Sequence, residues 1–472
     1  MSEPVRKRHV PHTLGALAAL AALSGCNLAP HYERPQTQVP AAFTAPPQAN
    51  GTAQASSIGW DAFFGDPQLQ AYLRSALTNN ADLAVAAARI EQARAQFRIQ
   101  EAQRLPEISG QAGAARGRGV QPGIGADPVT TNQYTVQAGV SAFELDLWGR
   151  VRNLSEAGRR QYLATVEGRE AFRLTLIGNV ASVYYAIRSG EEGIALAQRT
   201  VASRRQGLDI ARLRLDAGVT SSIDHDQAAV LLTQAQTELA ELRRTTEQQR
   251  NQLRVLIGGP DPEALPQPRP INDAGQFAAL DPGLPSALLE ARPDIRQAEQ
   301  QLLAANANIG AARAAFFPAI SLTGAFGFVS TQLSSLFGAS ANNWSVGAGA
   351  ALPIFDWGRR KAQLRLSEAQ RDELIANYRK AVQTGFREVS DGLVGRQRYR
   401  EQIEAQEQAV AAQRRLAETA TLRYDNGIAI YLEVLDAQRN LFAAEQSLLR
   451  LRAAELQNGV SLYVALGGGG EA

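Results

Sequence analysis

The chain carries one cysteine, one methionine and four histidines in 472 residues, and aromatic residues make up 6% of it. A single thiol excludes an intrachain disulfide framework and any cysteine-rich metal site. Neither a phosphate-binding P-loop nor a serine nucleophile elbow is present, so no nucleotide or acyl hydrolysis is expected of this chain. Forty-eight basic residues against 46 acidic ones leave a formal charge of +2, too balanced for a surface that neutralises nucleic acid. Beyond Leu23 no run of 18 apolar residues occurs, so no membrane-spanning helix is expected after processing.

What is present begins at the N-terminus. Arg6, Lys7, Arg8 and His9 precede an apolar run from Leu14 to Leu23, and then comes Leu23-Ser24-Gly25-Cys26. A positive flank, a short apolar run and small residues make a secretory signal over 1–25. The lone cysteine falls where it resembles a bacterial lipobox. Cys26 is therefore expected to carry a palmitoylated lipid anchor as the first mature residue, and Asn27 rather than Asp at the next position resembles lipoproteins sent on to the outer membrane. The following stretch, 26–65, is rich in Pro, Ala and polar residues without apolar periodicity and reads as an extended linker.

The remainder is one unit written twice. Trp148-Gly149-Arg150 recurs as Trp357-Gly358-Arg359, an offset of 209 (357 − 148), and "RLRLDAGVT" at 212–220 meets "TLRYDNGIA" at 421–429 at that same offset. "RLPEIS" at 104–109 answers "FFPAIS" at 316–321 at an offset of 212, so a loop between them absorbs three residues. The two repeats occupy 66–259 and 285–469, joined by a proline-rich linker over 260–284.

Each repeat has the same order of elements. In the first, 82–104 is built from good helix formers and stops before Pro106; alternating strand patterns follow within about 107–147; proline-free stretches at 149–216 and 220–257 form a long helix and a return helix. The second repeat matches with a strand hairpin at about 319–354, a long helix at 358–425 and a return helix at 428–466. Apolar residues recur every seven positions at Ile187, Ile194, Val201, Leu208 and Leu215, a coiled-coil period. A helix over 149–216 extends about 100 Å. In the strands, Tyr134, Val136, Ala138 and Val140 alternate with small or polar residues, as do Trp344, Val346, Ala348 and Ala350.

Alternating strands of about ten residues mark an outer-membrane barrel. Four strands are too few to close, and open edges cannot face lipid. Three chains sharing twelve strands satisfy both conditions. Trp148-Gly149-Arg150 and Trp357-Gly358-Arg359 mark the hand-over from strand to long helix, where glycine permits the turn. Each tryptophan alone reads equally as a packing residue; its repetition in one context favours a place at the membrane interface, with arginine at headgroup level.

The combination of a lipobox, "YERP" at 32–35, "DPQL" at 66–69, "RPDI" at 292–295, the paired junctions, "VLDAQRNL" at 434–441 and a closing "YVALGGG" resembles the TolC-like outer-membrane factors, specifically the NodT-type efflux lipoproteins. The resemblance implies a homotrimer with a twelve-stranded barrel continuing into an α-helical periplasmic tunnel. It implies passive conduction from a periplasmic adaptor and an inner-membrane pump, often of the resistance-nodulation-division class, to the exterior, as in multidrug resistance. It also places the turns at Asp216 and Gly218 and at Asp425 and Gly427 at the periplasmic tip, near Asp209, Arg212, Arg214, Arg414, Arg415, Glu418, Arg423 and Tyr424. Converging charged or bulky side chains there make a gate, with Arg414, Arg415, Glu418, Arg423 and Tyr424 as candidates; the bland reading is a solvated coiled-coil flank, worth about 0.5 kcal/mol per charge pair. Gly218 and Gly427 suit left-handed turn positions.

Rival readings are weaker. His225 stands in "IDHD" with Asp224 and Asp226, but consecutive residues do not converge on one helical face, and the second repeat has "LEVL" there, so neither metal nor cofactor is expected. A soluble coiled-coil adaptor leaves the strands unexplained. The exit duct of a type I secretion system shares the architecture, and the lipobox favours efflux.

Overall fold

A computed structural model describes residues 27–37, 40, 58–120, 127–278 and 291–468. The signal segment, Cys26, residues 38–39 and 41–57 of the N-terminal linker, the centre of the first strand connection and part of the inter-repeat linker lie outside the described residues. In chain order the elements are α1 (Trp60–Phe63), α2 (Pro67–Asn79), α3 (Ala81–Ala102), β1 (Ser109–Gly119), β2 (Val129–Leu145), α4 (Arg150–Asp216), α5 (Ser222–Leu256), α6 (Pro293–Ala314), β3 (Ala319–Ser330), β4 (Asn342–Ala351), α7 (Arg359–Asp425) and α8 (Tyr431–Ala465). Both α4 and α7 have 67 residues, and α5 and α8 have 35. Among the described residues, the order helix, two strands, long helix, return helix from α3 to α5 recurs from α6 to α8.

The chain divides into two compact units, one comprising residues 1–35, 89–166 and 297–378, the other 36–88, 167–296 and 379–472. The first unit holds a four-stranded antiparallel sheet in the order β1-β2-β3-β4. Its helical part has a small-residue interior, with Ala304, Ala305, Ala307, Ala311 and Ala314 of α6 all buried. Alanines at this density let helix backbones approach closely while remaining strong helix formers.

The second unit has a larger apolar core that includes Phe64, Leu69, Leu73, Val180, Tyr184, Ile257 and Tyr463. Two of the motifs noted above serve as pins here. In "DPQL", Asp66 caps α2 by accepting from the backbone N–H groups of Gln68 and Leu69 at 2.8 and 3.3 Å, with Pro67 at the first helical position. Its other oxygen accepts from the Tyr184 hydroxyl at 2.8 Å and the Arg269 N–H at 3.1 Å, so a carboxylate that is 1% exposed is fully satisfied. In "RPDI", the buried Arg292 grips Asp294 through two bonds, Glu388 at 2.8 Å and the Ala465 carbonyl at 2.9 Å. A buried guanidinium needs this many acceptors to offset its lost hydration.

The segment just after Cys26 departs from the expected free linker. Asn27 accepts from the Asn153 side-chain amide at 2.9 Å, Asn306 donates to the Pro30 carbonyl at 2.8 Å, and Ala29 lies so close to Gly310 that a Cβ there would stand 2.8 Å from its backbone. Tyr32 and Arg34 of "YERP" both bind Glu299, Arg34 through two bonds of 2.9 and 3.0 Å. Burial and the neighbouring carboxylate push the Tyr32 hydroxyl up, so it stays a donor. Residues 27–35 are a strap laid along α6. The linker composition is genuine, but its partners sit on a helix far along the chain. Replacing Gly310 by Val should lift the strap, and replacing Glu299 by Ala should weaken it by about 1–3 kcal/mol; faster limited proteolysis between residues 27 and 37 is the expected outcome, and an unchanged cleavage rate in both variants would contradict the docking.

Candidate functional site

The sheet register sorts side chains onto two faces. Phe326 lies opposite both Ala138 and Trp344, Val136 opposite Phe328, and Gly324 opposite both Val140 and Val346. Directly opposed residues point to the same side. Tyr134, Val136, Val140, Leu322, Phe326, Phe328, Trp344 and Val346 therefore share one apolar face. The other face carries Gln111, Gln133, Thr135, Gln137, Ser321, Thr323, Asn343 and Ser345. A bulge between Val140 and Phe143 restores the alternation toward the helices, keeping Phe143 and Leu145 on the apolar side. One surface suited to hydrocarbon thus backs onto one that is small and polar, its single strand charge being Glu144 beside the helices.

Both sheet edges are open: β1 and β4 are the outer strands, 11 and 10 residues long. Arg116 and Arg118 are inside β1. Their run has no apolar alternation of its own, and pairing with β2 holds it extended.

The two strand-to-helix junctions share the left-handed glycine but differ in the tryptophan, since Trp357 has a φ of 54° and Trp148 does not adopt a positive φ, and they differ in environment. Gly149 and Gly358 have φ of 74° and 83°, which glycine adopts without steric cost. Trp148 is half-buried, stacks on Phe317 with 4.7 Å between ring centroids, and donates its indole N–H to the Pro318 carbonyl at 2.9 Å. Trp357, by contrast, is 90% exposed and touches Phe355 edge-on. Arg150 is held by Glu144 through two bonds, whereas in the second repeat it is Arg360, next to Arg359, that grips Asp356 at 2.7 Å. Leu352, Ile354 and Phe355 are exposed beside Trp357. Trp357 has no equivalent of the Phe317 stack and Pro318 bond among the described residues.

At the far ends of α4 and α7 the turns are superimposable in their bonding. Gly218 and Gly427 have φ of 71° and 72°; Val219 N–H reaches the Arg214 carbonyl at 3.0 Å and Ile428 N–H the Arg423 carbonyl at 2.8 Å. This is the left-handed helix stop that glycine favours. Around it a small core gathers Ala211, Ala228, Ala420, Tyr424, Tyr431 and Leu435. The Arg214 guanidinium lies 4.2 Å from the Tyr424 ring centre, and the Tyr424 and Tyr431 rings are 5.0 Å apart. Burial raises both phenols, Tyr431 to about 12, so neither ionises near neutral pH.

Of the candidate gate residues, Arg414 pairs with Glu445 at 2.7 Å and Arg423 with Glu433 at 3.4 Å, while Arg415 and Glu418 are exposed. Tyr424 is buried among its own chain's helices rather than free. Its place at the end of the heptad series Ile403, Val410, Ala417 carried that signal. Arg214 over Tyr424 could not be read from spacing, because their helices meet only in the folded state. Asp216 and Asp425 are exposed at the turns, and His225 contacts only the adjacent Asp226 at 3.1 Å.

A duplicated chain with long paired helices and one sheet that is apolar on one side and polar on the other defines a class: a subunit of an outer-membrane channel. The outer membrane efflux protein family matches residues 72–259 and 284–468. The chain is 41% identical over 422 residues to the solvent efflux pump outer membrane protein SrpC of Pseudomonas putida, covering 88% of this chain and 89% of that protein. It is 38% identical over 417 residues to the cation efflux system protein CusC of Escherichia coli strain K12, covering 87% and 89%. The open-state MtrE outer membrane channel of Neisseria gonorrhoeae superimposes with a TM-score of 0.86 at 36% identity, covering 94% of this chain and 98% of that one. The chain belongs to the outer membrane efflux protein family. It is a channel subunit of an efflux system in the outer membrane of a Gram-negative bacterium, and its fold is that of the trimeric channels of that family.

Proposed function

We propose that three copies of this chain conduct substrates passively from a periplasmic adaptor and an inner-membrane pump, of the resistance-nodulation-division type, to the exterior. The observation that carries this reading is the sheet with one hydrocarbon-compatible face and two open edges, which only a shared barrel satisfies. Relatives of similar identity act on solvents, toluene, antibiotics and cations by name. A wall of Gln, Thr, Ser and Asn whose one strand carboxylate, Glu144, is engaged by Arg150 offers no basis for choosing among them, which assigns selectivity to the partners.

The duplication sets how the barrel closes. Trp148 packs on Phe317 and Pro318, and the repeat offset of 212 makes Leu105 and Pro106 their equivalents. Leu105 is 71% exposed. Trp357 therefore docks on Leu105 and Pro106 of the neighbouring chain, and β4 pairs with the neighbour's β1 as β2 pairs with β3. Since β4 lacks the bulge, Ala138 corresponds to Ala348, and Phe326 to Ala114, so Ala348 lies opposite the neighbour's Ala114.

Cys26 is the lipid attachment site, and lipid and sheet together hold the protein in the membrane. At the tip, Arg214 on Tyr424 ties the two repeats to each other and Arg423 on Glu433 ties α7 to α8, and Arg414, Arg415, Glu418 and Asp425 add charge near a narrow mouth. Opening requires these ties to yield.

Three outcomes are expected. In a cysteine-free background, cysteines at 114 and 348 should cross-link into a covalent trimer on a non-reducing gel while cysteines at 114 and 350 do not; the reverse result, or no trimer with either, would refute the register. Substituting Arg423 or Asp425 by Ala should raise single-channel conductance in planar bilayers several-fold, and unchanged conductance for both removes them from the gate. Cys26→Ser should abolish incorporation of labelled palmitate while leaving trimers intact, so equal labelling would sink the lipidation reading.

A further inference from the structure

The four strands contain 50 residues in all (11, 17, 12 and 10) and three charges: Arg116, Arg118 and Glu144. Glu144 lies on the polar face, next to the helices, and is occupied by Arg150. The two arginines are placed otherwise. Arg116 is opposite Asn132 and Arg118 opposite Thr130, in the same alternation as Ala114 opposite Tyr134. They therefore point from the apolar face. They also stand at the end of the sheet remote from the helices, since β1 follows α3 at Ser109 and β2 leads to α4 after Leu145.

Just inside them runs a belt of aromatic side chains on that face, Tyr134, Phe326, Phe328 and Trp344, with Phe337 of the outer connection packed edge-on against Phe328 at 5.6 Å. Such a belt sits at the level where hydrocarbon gives way to headgroups. A guanidinium in the hydrocarbon midplane costs about 2–4 kcal/mol and close to nothing at the interface. Neither arginine is engaged by a carboxylate among the described residues, and no acidic residue occurs on their face of the sheet. Two unpaired planar cations beside an aromatic belt call for an anionic partner supplied by the lipid, and guanidinium matches the geometry of phosphate through paired N–H donors.

We propose that Arg116 and Arg118 form a binding site for the phosphate-bearing headgroups of the glycolipid in the outer leaflet, giving six guanidinium groups around the trimer's rim. This rests on the reading of the sheet as membrane-embedded with the helices on the periplasmic side. The β1 edge is completed by a neighbouring strand, but strand pairing does not change which face a side chain occupies, so the site survives assembly. The outer rim is thereby fixed to a leaflet rich in phosphate, and the seam strand β1 is held at a set depth.

The test uses purified trimer in detergent, with insertion into bilayers confirmed first for each variant by channel activity. Bis-phosphorylated lipid A and its dephosphorylated form are titrated while trimer melting is followed. The wild type should bind the phosphorylated form at least about ten-fold more tightly, on the order expected for two cations beside an anionic surface. Arg116→Ala with Arg118→Ala should lose that preference, and the corresponding double Lys variant should retain part of it. If the double Ala variant does not assemble, Thr130→Glu, which sets a carboxylate opposite Arg118, should reduce the preference instead. A wild type that does not distinguish the two lipids, or a variant that inserts and distinguishes them equally well, overturns the proposal; failure of the wild type to insert would strike at the channel reading itself.

Discussion

Backbone groups cannot remain unpaired in hydrocarbon, and this chain has two strands, β1 and β4, each with one edge unpaired. Each orphaned N–H or C=O at membrane depth costs several kcal/mol, more than any side-chain contact in the sheet could offset. Everything at the membrane end follows from that debt being met by a second copy. The apolar face, the aromatic belt and the polar lumen face exist in each chain, but the surface they belong to does not exist until edges join.

The internal duplication makes this joining economical. One repeat already solves, within the chain, the contact that must be solved again between chains: β2 finds β3, and Trp148 finds Phe317 and Pro318. The second repeat carries the same tryptophan 90% exposed, with only Phe355 against its edge among the described residues' rings. An exposed tryptophan on a chain of such regular construction is best understood as half of a contact whose other half is in the neighbour. Likewise the tip turns share one geometry, yet Arg214 and Tyr424 bind across the repeats, so identical backbones acquire different side-chain duties.

Three of the short motifs that mark the family turn out to be fasteners rather than parts of the channel wall. Asp66 caps a helix and receives Tyr184 and Arg269; Arg292 ties the start of α6 to Glu388 and to the end of α8 at Ala465. Tyr32 and Arg34 meet at Glu299. Buried polar groups of this kind demand complete satisfaction, which ties them to one arrangement of the surrounding elements. A duct needs a well-defined wall more than a shaped pocket, and these fasteners supply it.

The sequence by itself determined the repeat, the long helices, the alternating strands and, through the shortage of strands, the need for several chains. Those properties are periodic and local: a seven-residue spacing or a two-residue alternation is visible in any window that contains it. Tertiary structure alone decided which residues meet. Tyr32 and Glu299 are 267 positions apart, Trp148 and Pro318 are 170 apart, and no spacing rule connects them. The same holds for Arg116 and Arg118, whose place on the apolar face is set by the register with β2. A strand's faces are fixed by its neighbour as well as by its own alternation, and a short run of Arg and Gly has no alternation to show.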